Sequence, residues 1–61
     1  MIENINEIKT LEDFWKNANG VVVDFINRSG EDIDDMDYPL TTKVNMIRHI
    51  ELDQYEVELD V

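Results

Sequence analysis

Glu56, Glu58 and Asp60 alternate with Val57 and Leu59 near the end of the chain. In an extended segment this alternation sets three carboxylates on one side, about 6.8 Å apart, since each residue rises about 3.4 Å. Glu51 and Asp53 are expected to line the neighbouring strand on the same side. Carboxylates placed side by side repel one another, and interspersed Lys is the ordinary way to make such a surface soluble. Residues 49–61 contain neither Lys nor Arg. Each carboxylate offers a negative charge and acceptor oxygens suited to Arg forks built for phosphate. The array therefore has the chemistry of a nucleic-acid mimic. The competing reading is an edge strand that uses charge against aggregation.

A second acidic group is Glu31, Asp32, Asp34, Asp35 and Asp37, followed by Tyr38. Oxygen ligands of this kind can take Ca²⁺ or Mg²⁺. The EF-hand pattern fails, however: counted from Asp32, the sixth position is Asp37 rather than Gly and the twelfth is Lys43. The segment reads as an acidic loop that offers a partner-binding surface, with Tyr38 at its rim to stack or hydrogen-bond, and no metal is assigned to it. His49 is the sole His, and a general base needs an oriented nucleophile within reach. Ser29, Thr10, Thr41 and Thr42 show no motif of that kind. A glycosidase needs a cleft between two carboxylates, for which a chain this small leaves little room. No catalytic residue, cofactor or enzymatic activity is expected.

The elements that must carry these groups follow from apolar spacing. Ile5, Ile8, Leu11, Trp15 and Ala18 recur at three- and four-residue intervals, which predicts a helix over 10–18, with an extension back to residue 3 left open. Thr10 and Asp13 stand at capping-box spacing, and Asn19-Gly20 suits a left-handed helix end. Residues 21–26 (Val-Val-Val-Asp-Phe-Ile) predict a buried strand. Asn27-Arg28-Ser29-Gly30 is turn chemistry. From Thr42 the even positions Val44, Met46, Ile50 and Leu52, interrupted by Arg48, predict a strand with one apolar face. A short helix over 43–50 is the rival, because Val44, Ile47 and Ile50 also fit helical spacing. Tyr55, Val57, Leu59 and Val61 alternate with acids and predict a half-buried strand, joined to the preceding one at Asp53-Gln54. The fold class is α+β: an N-terminal helix packed on a small three-stranded, mostly antiparallel sheet.

Leu11-Glu12-Asp13-Phe14 followed by Val21-Val22-Val23-Asp24-Phe25 resembles the first helix and strand of thioredoxin-like domains. The Cys-x-x-Cys expected after that strand is missing, with Asn27-Arg28-Ser29-Gly30 in its place. No redox residue is carried over.

Composition bounds what these elements can do. The chain has 61 residues, 15 acids, five bases and no Cys, with a net charge of −10. One domain over 1–61 is expected, with a radius of gyration of roughly 10–11 Å and only about 60% of its unfolded surface buried. Aromatic and β-branched residues are too frequent for a disordered chain. Residues 1–28 hold five acids against three bases, and residues 29–61 hold ten against two. That charge repels phosphate backbones and anionic membranes, so neither nucleic acid nor membrane is expected to bind directly. The start MIENINEI has neither the basic residues nor the apolar run of a signal peptide, and a cytoplasmic protein is expected. In charge and size the chain resembles the small acidic proteins of phages and mobile elements, among them anti-CRISPR, anti-restriction and uracil-DNA glycosylase inhibitor proteins. The expected partner is a basic nucleic-acid-binding protein. The alternative is an interaction module (an antitoxin, immunity or assembly subunit) that uses an apolar patch around Phe14 and Trp15. A free strand edge leaves a homodimer open.

Overall fold

Thr10 opens the only α-helix among the described residues. In the computed structural model, which describes residue 2 and residues 4–61, its hydroxyl accepts the Asp13 backbone N–H at 3.2 Å. The Asp13 carboxylate in turn accepts the N–H of Thr10 at 3.2 Å and that of Lys9 at 3.1 Å. This reciprocal capping box satisfies donors that the first turn leaves without partners. Helix α1 is Leu11–Asn17. The extension toward residue 3 is a separate 3-10 turn, Ile5–Glu7, because Lys9 is drawn into an extended pairing, its carbonyl accepting the Val44 N–H. Past the helix, Gly20 takes φ +67°, a left-handed conformation that Gly adopts without steric cost, and the chain reverses into the sheet.

The sheet has four strands rather than three: β1 (Val22–Ile26), β2 (Asp32–Ile33), β3 (Val44–Glu51) and β4 (Gln54–Leu59). Their order is β2-β1-β4-β3. The extra strand arises from the Asn27–Gly30 turn. Asn27 Oδ1 accepts the backbone N–H groups of Ser29 and Glu31, and Gly30 supplies φ +83°. The turn folds residues 32 and 33 antiparallel onto Ile26 and Phe25. The sheet is mixed, not mostly antiparallel, because β4 lies between β1 and β3. It runs parallel to β1 over Val22–Ile26 and antiparallel to β3. A strand with a neighbour on each edge shows its alternation cleanly: Tyr55, Val57 and Leu59 are buried, and Glu56 and Glu58 are half-buried.

Residues 44–51 form a strand and not a helix, but the expected period of two is broken. The register shifts between Val44 and Met46 and again between His49 and Glu51. An extra residue in one strand moves the side chains that follow to the other face. Val44 and Ile47 therefore both pack against the core, while Met46 and Arg48 stand opposite Glu58 and Glu56. The turn to β4 is Leu52-Asp53, and Gln54 already belongs to the strand. β1 begins one residue later than the apolar run, and on its outward side Val22 is 63% exposed and Asp24 is exposed, while Ile26 is buried.

The core lies between α1 and one face of the sheet. Ile8, Leu11, Phe14, Phe25, Val57 and Leu59 form it, with Val23, Ile33, Tyr38, Val44 and Ile47 against its margin. Phe14 is fully enclosed and meets Phe25 edge-on at 5.7 Å between ring centres. A strap over residues 40–42 holds the helix start down, since the N–H groups of Leu11 and Glu12 donate to the carbonyls of Thr42 and Leu40. The radius of gyration is 10.4 Å, within the expected range.

Thr10→Ala removes the capping hydroxyl and is expected to lower stability by about 1 kcal/mol, read by urea unfolding. The carboxyl of Asp13 is held below its ordinary range, first by the Lys9 N–H and further by the Thr10 N–H and hydroxyl, against partial desolvation. A depressed folded value stabilises the native state above the unfolded pKa, and that stabilisation is lost as pH falls through the folded one. Asp13→Asn is therefore expected to be less stable than the parent at pH 7. The difference should shrink as both are titrated downward through the acid range, in paired thermal melts.

Candidate protein-docking surface

One seven-residue helix packs on one face of the sheet, and the acidic residues of the strands lie on the other. Residues directly opposite in a ladder share a face, so the register builds the open face in two rows. In one row Asp24 of β1 stands beside Glu56 of β4, with Arg48 of β3 beyond. In the other, Asp32, Ile26, Glu58 and Met46 follow one another across all four strands. Asp24 and Glu56 are directly opposite like charges, an unfavourable arrangement that Arg48 relieves by pairing with Glu56 from the far side.

The expected carboxylate array is real along β4 but it is not bare. Glu56 is paired with Arg48. Asn45 Nδ2 donates to Glu58 Oε2 at 3.2 Å and to Asp60 Oδ1 at 3.3 Å. Arg28 Nε lies 3.7 Å from Asp60 Oδ1. Although residues 49–61 contain no Lys or Arg, β3 and the β1–β2 turn bring two Arg side chains and an amide to them. Exposed ion pairs of this kind contribute at most about 1 kcal/mol, so they damp the local charge without consuming it. Glu51 lies opposite Gln54 at the far end of the ladder, and Asp53 sits in the Leu52-Asp53 turn. Neither adjoins Glu58.

The residues from 31 to 38 separate by role. Asp32 joins the open face through its pairing with Ile26. Glu31 Oε1 accepts Asn27 Nδ2 and braces the turn. Asp34 caps a short 3-10 turn, Asp35–Asp37, by accepting the Met36 N–H at 3.0 Å. Asp37 is exposed on that turn. Asp35 Oδ2 accepts the Trp15 indole N–H at 3.2 Å. Tyr38 is half-buried against the core margin and lines a groove together with Asp35. Among the described residues, no three His, Asp or Glu side chains form a group able to hold a metal ion. His49 stacks on Tyr55 with ring centres 4.7 Å apart, and its Nε2 lies 3.0 Å from the Leu52 carbonyl oxygen.

Phe14 cannot belong to an apolar docking patch, because it has no exposed surface. Trp15 remains 45% exposed, with its ring against Phe14 and Phe25. Its hydrogen bond to Asp35 makes it a wall between two grooves. The first, about 570 Å³, runs over Val23 between Trp15 and the carboxylates of Asp24, Asp32, Asp34 and Asp35, and no base lines it. The second, about 490 Å³, is apolar and includes Leu11, Met36 and Leu40. Asp24 is exposed within a segment whose sequence predicts a buried strand. The signal was present: a lone acid within Val-Val-Val-Asp-Phe-Ile marks a strand with one face left open.

Asp35→Ala breaks the wall. Trp15 is the sole Trp, so its fluorescence reports the change directly. Quenching by acrylamide is expected to increase, while stability changes by no more than about 1.5 kcal/mol, the net contribution of a typical hydrogen bond.

Compared with known protein families, curated proteins and solved structures, the chain matches none.

Proposed function

We propose that this chain is an inhibitory binding protein whose carboxylates imitate nucleic-acid phosphates and occupy the basic cleft of a nucleic-acid-handling protein. A nuclease, CRISPR effector, glycosylase or polymerase has such a cleft. The observation that carries this reading is the open sheet face, where Asp24, Asp32, Glu56 and Glu58 sit on three adjoining strands with only Arg48 among them as a base. Strands are about 4.8 Å apart and side chains on one face about 6.8 Å apart along a strand. A rigid sheet fixes those spacings before the partner arrives, which lowers the ordering cost of binding. The net charge of −10 adds a long-range attraction that steers a basic surface to this face. Binding of this kind needs no chemistry from the inhibitor.

A second reading rests on a different surface. Trp15, Met36 (83% exposed) and Leu40 (52% exposed) border the apolar groove. A partner seated there would be held by burial of apolar surface, with acids at the rim, as in an antitoxin, immunity or assembly subunit.

Salt separates the two. Tagged protein is used as bait in a bacterial lysate and washed at about 0.1 M and then about 0.5 M salt, over which the Debye length falls by more than half. Recovery of a DNA- or RNA-binding protein that elutes with salt is expected. The double reversal Glu56→Lys/Glu58→Lys, checked for native circular dichroism, is expected to lose that partner. Retention of the partner by the folded double variant, or through the high-salt wash, would move the contact to the apolar groove.

A further inference from the structure

The two long edges of β1 are treated differently. β4 pairs with all five of its residues, whereas β2 pairs only with Phe25 and Ile26. Successive residues of a strand direct their N–H and C=O groups to alternate edges. The Val22 N–H donates toward β4, to the Asp53 carbonyl, so the N–H and C=O of Val23 face the other way, into the groove beside Trp15. Among the described residues no strand lies alongside them. β2 stops short because Asp34 turns its side chain onto the Met36 N–H and starts the Asp35–Asp37 turn. Asp35 is then fastened to Trp15. The sheet edge is thus held open between an aromatic wall and an acidic one.

We infer that an extended, basic segment of the partner protein adds to β1 as a strand at Val23, in line with β2, and sets Lys or Arg side chains against Asp24, Asp32, Asp34 and Asp35. The inference rests on the proposed basic partner and supplies a specific contact for it. Main-chain hydrogen bonds give such an added strand its affinity, and alternate side chains give it specificity. A side chain opposite Val23 points toward the half-exposed Trp15, where a cation is attracted by the ring face. Its neighbours point to the side of Asp24 and Asp32. Native sheets commonly protect an open edge with Lys. Here the flanking charges are all acidic, so they repel a second copy of this chain and attract a basic segment.

The intact chain is titrated with a blocked hexapeptide of alternating Arg and Val, followed by Trp15 fluorescence and by amide exchange at Val23. A second peptide of the same charge carries N-methyl groups on alternate residues, so that one edge cannot donate. The unmodified peptide is expected to change Trp15 emission, to slow exchange at Val23, and to bind at least fivefold more tightly than the N-methylated one. Asp24→Asn/Asp34→Asn is expected to weaken it further. Equal binding by the two peptides, or unchanged exchange at Val23, would overturn the inference and leave the open-face reading intact. Peptide binding at Val23 by a chain that captures no nucleic-acid-handling protein would sustain the groove and remove the mimic.

Discussion

A single two-turn helix, with Ile8 and Tyr38 beside it, supplies the cover on one face of a four-stranded sheet. Leu11 and Phe14 press onto Phe25, Val57 and Leu59, and the strap from Leu40 to Thr42 keeps the helix start against them. Among the described residues no helix covers the opposite face, where Ile26 is buried but Val22, Asp24, Asp32, Met46 and Arg48 are exposed. Those exposed side chains must either tolerate water or meet another molecule. The acids of β1, β2 and β4 meet that requirement, and the carboxylate surface is a direct consequence of a core that is one layer deep.

β4 at the centre of the sheet gives that surface its stiffness. Its acids are spaced by a strand held on both edges, so Glu56 and Glu58 keep their positions relative to Asp24 and Arg48. The second acidic group is organised by other means. Caps and side-chain bonds at Asn27, Asp34 and Asp35 tie residues 27–37 to the turn, the short helix and Trp15. Asp32 is the member of that group whose pairing with Ile26 places it on the open face.

Local features were legible in the sequence where a local interaction decides the structure. The Thr10–Asp13 cap, the Asn27–Gly30 turn and the alternation of β4 all follow from residues a few positions apart. What was hidden depends on partners distant in the chain. The parallel pairing of β1 with β4 leaves no mark in either segment. The bulge in β3 placed Val44 and Ile47 inward together, a three-residue interval that imitates a helix and made 43–50 ambiguous. Among the candidate residues, Glu56 and Glu58 share a face, as period two predicts. The ion pairs of Arg48 and Arg28 and the hydrogen bonds of Asn45 were not legible, since each joins residues distant in the chain.

The position of β4 also sets the order in which the molecule can assemble. β1, β2 and β3 are made first, yet β1 and β3 share no edge and meet only through residues 54–59. During synthesis β1 and β3 have no strand to pair through until that one emerges. The β1–β4 pairing spans about thirty residues, and closing so long a loop precedes any reward from it. The ten acids of residues 29–61 keep the waiting chain apart from its copies by mutual repulsion. The charge that shapes the finished surface thus also guards the unfinished one.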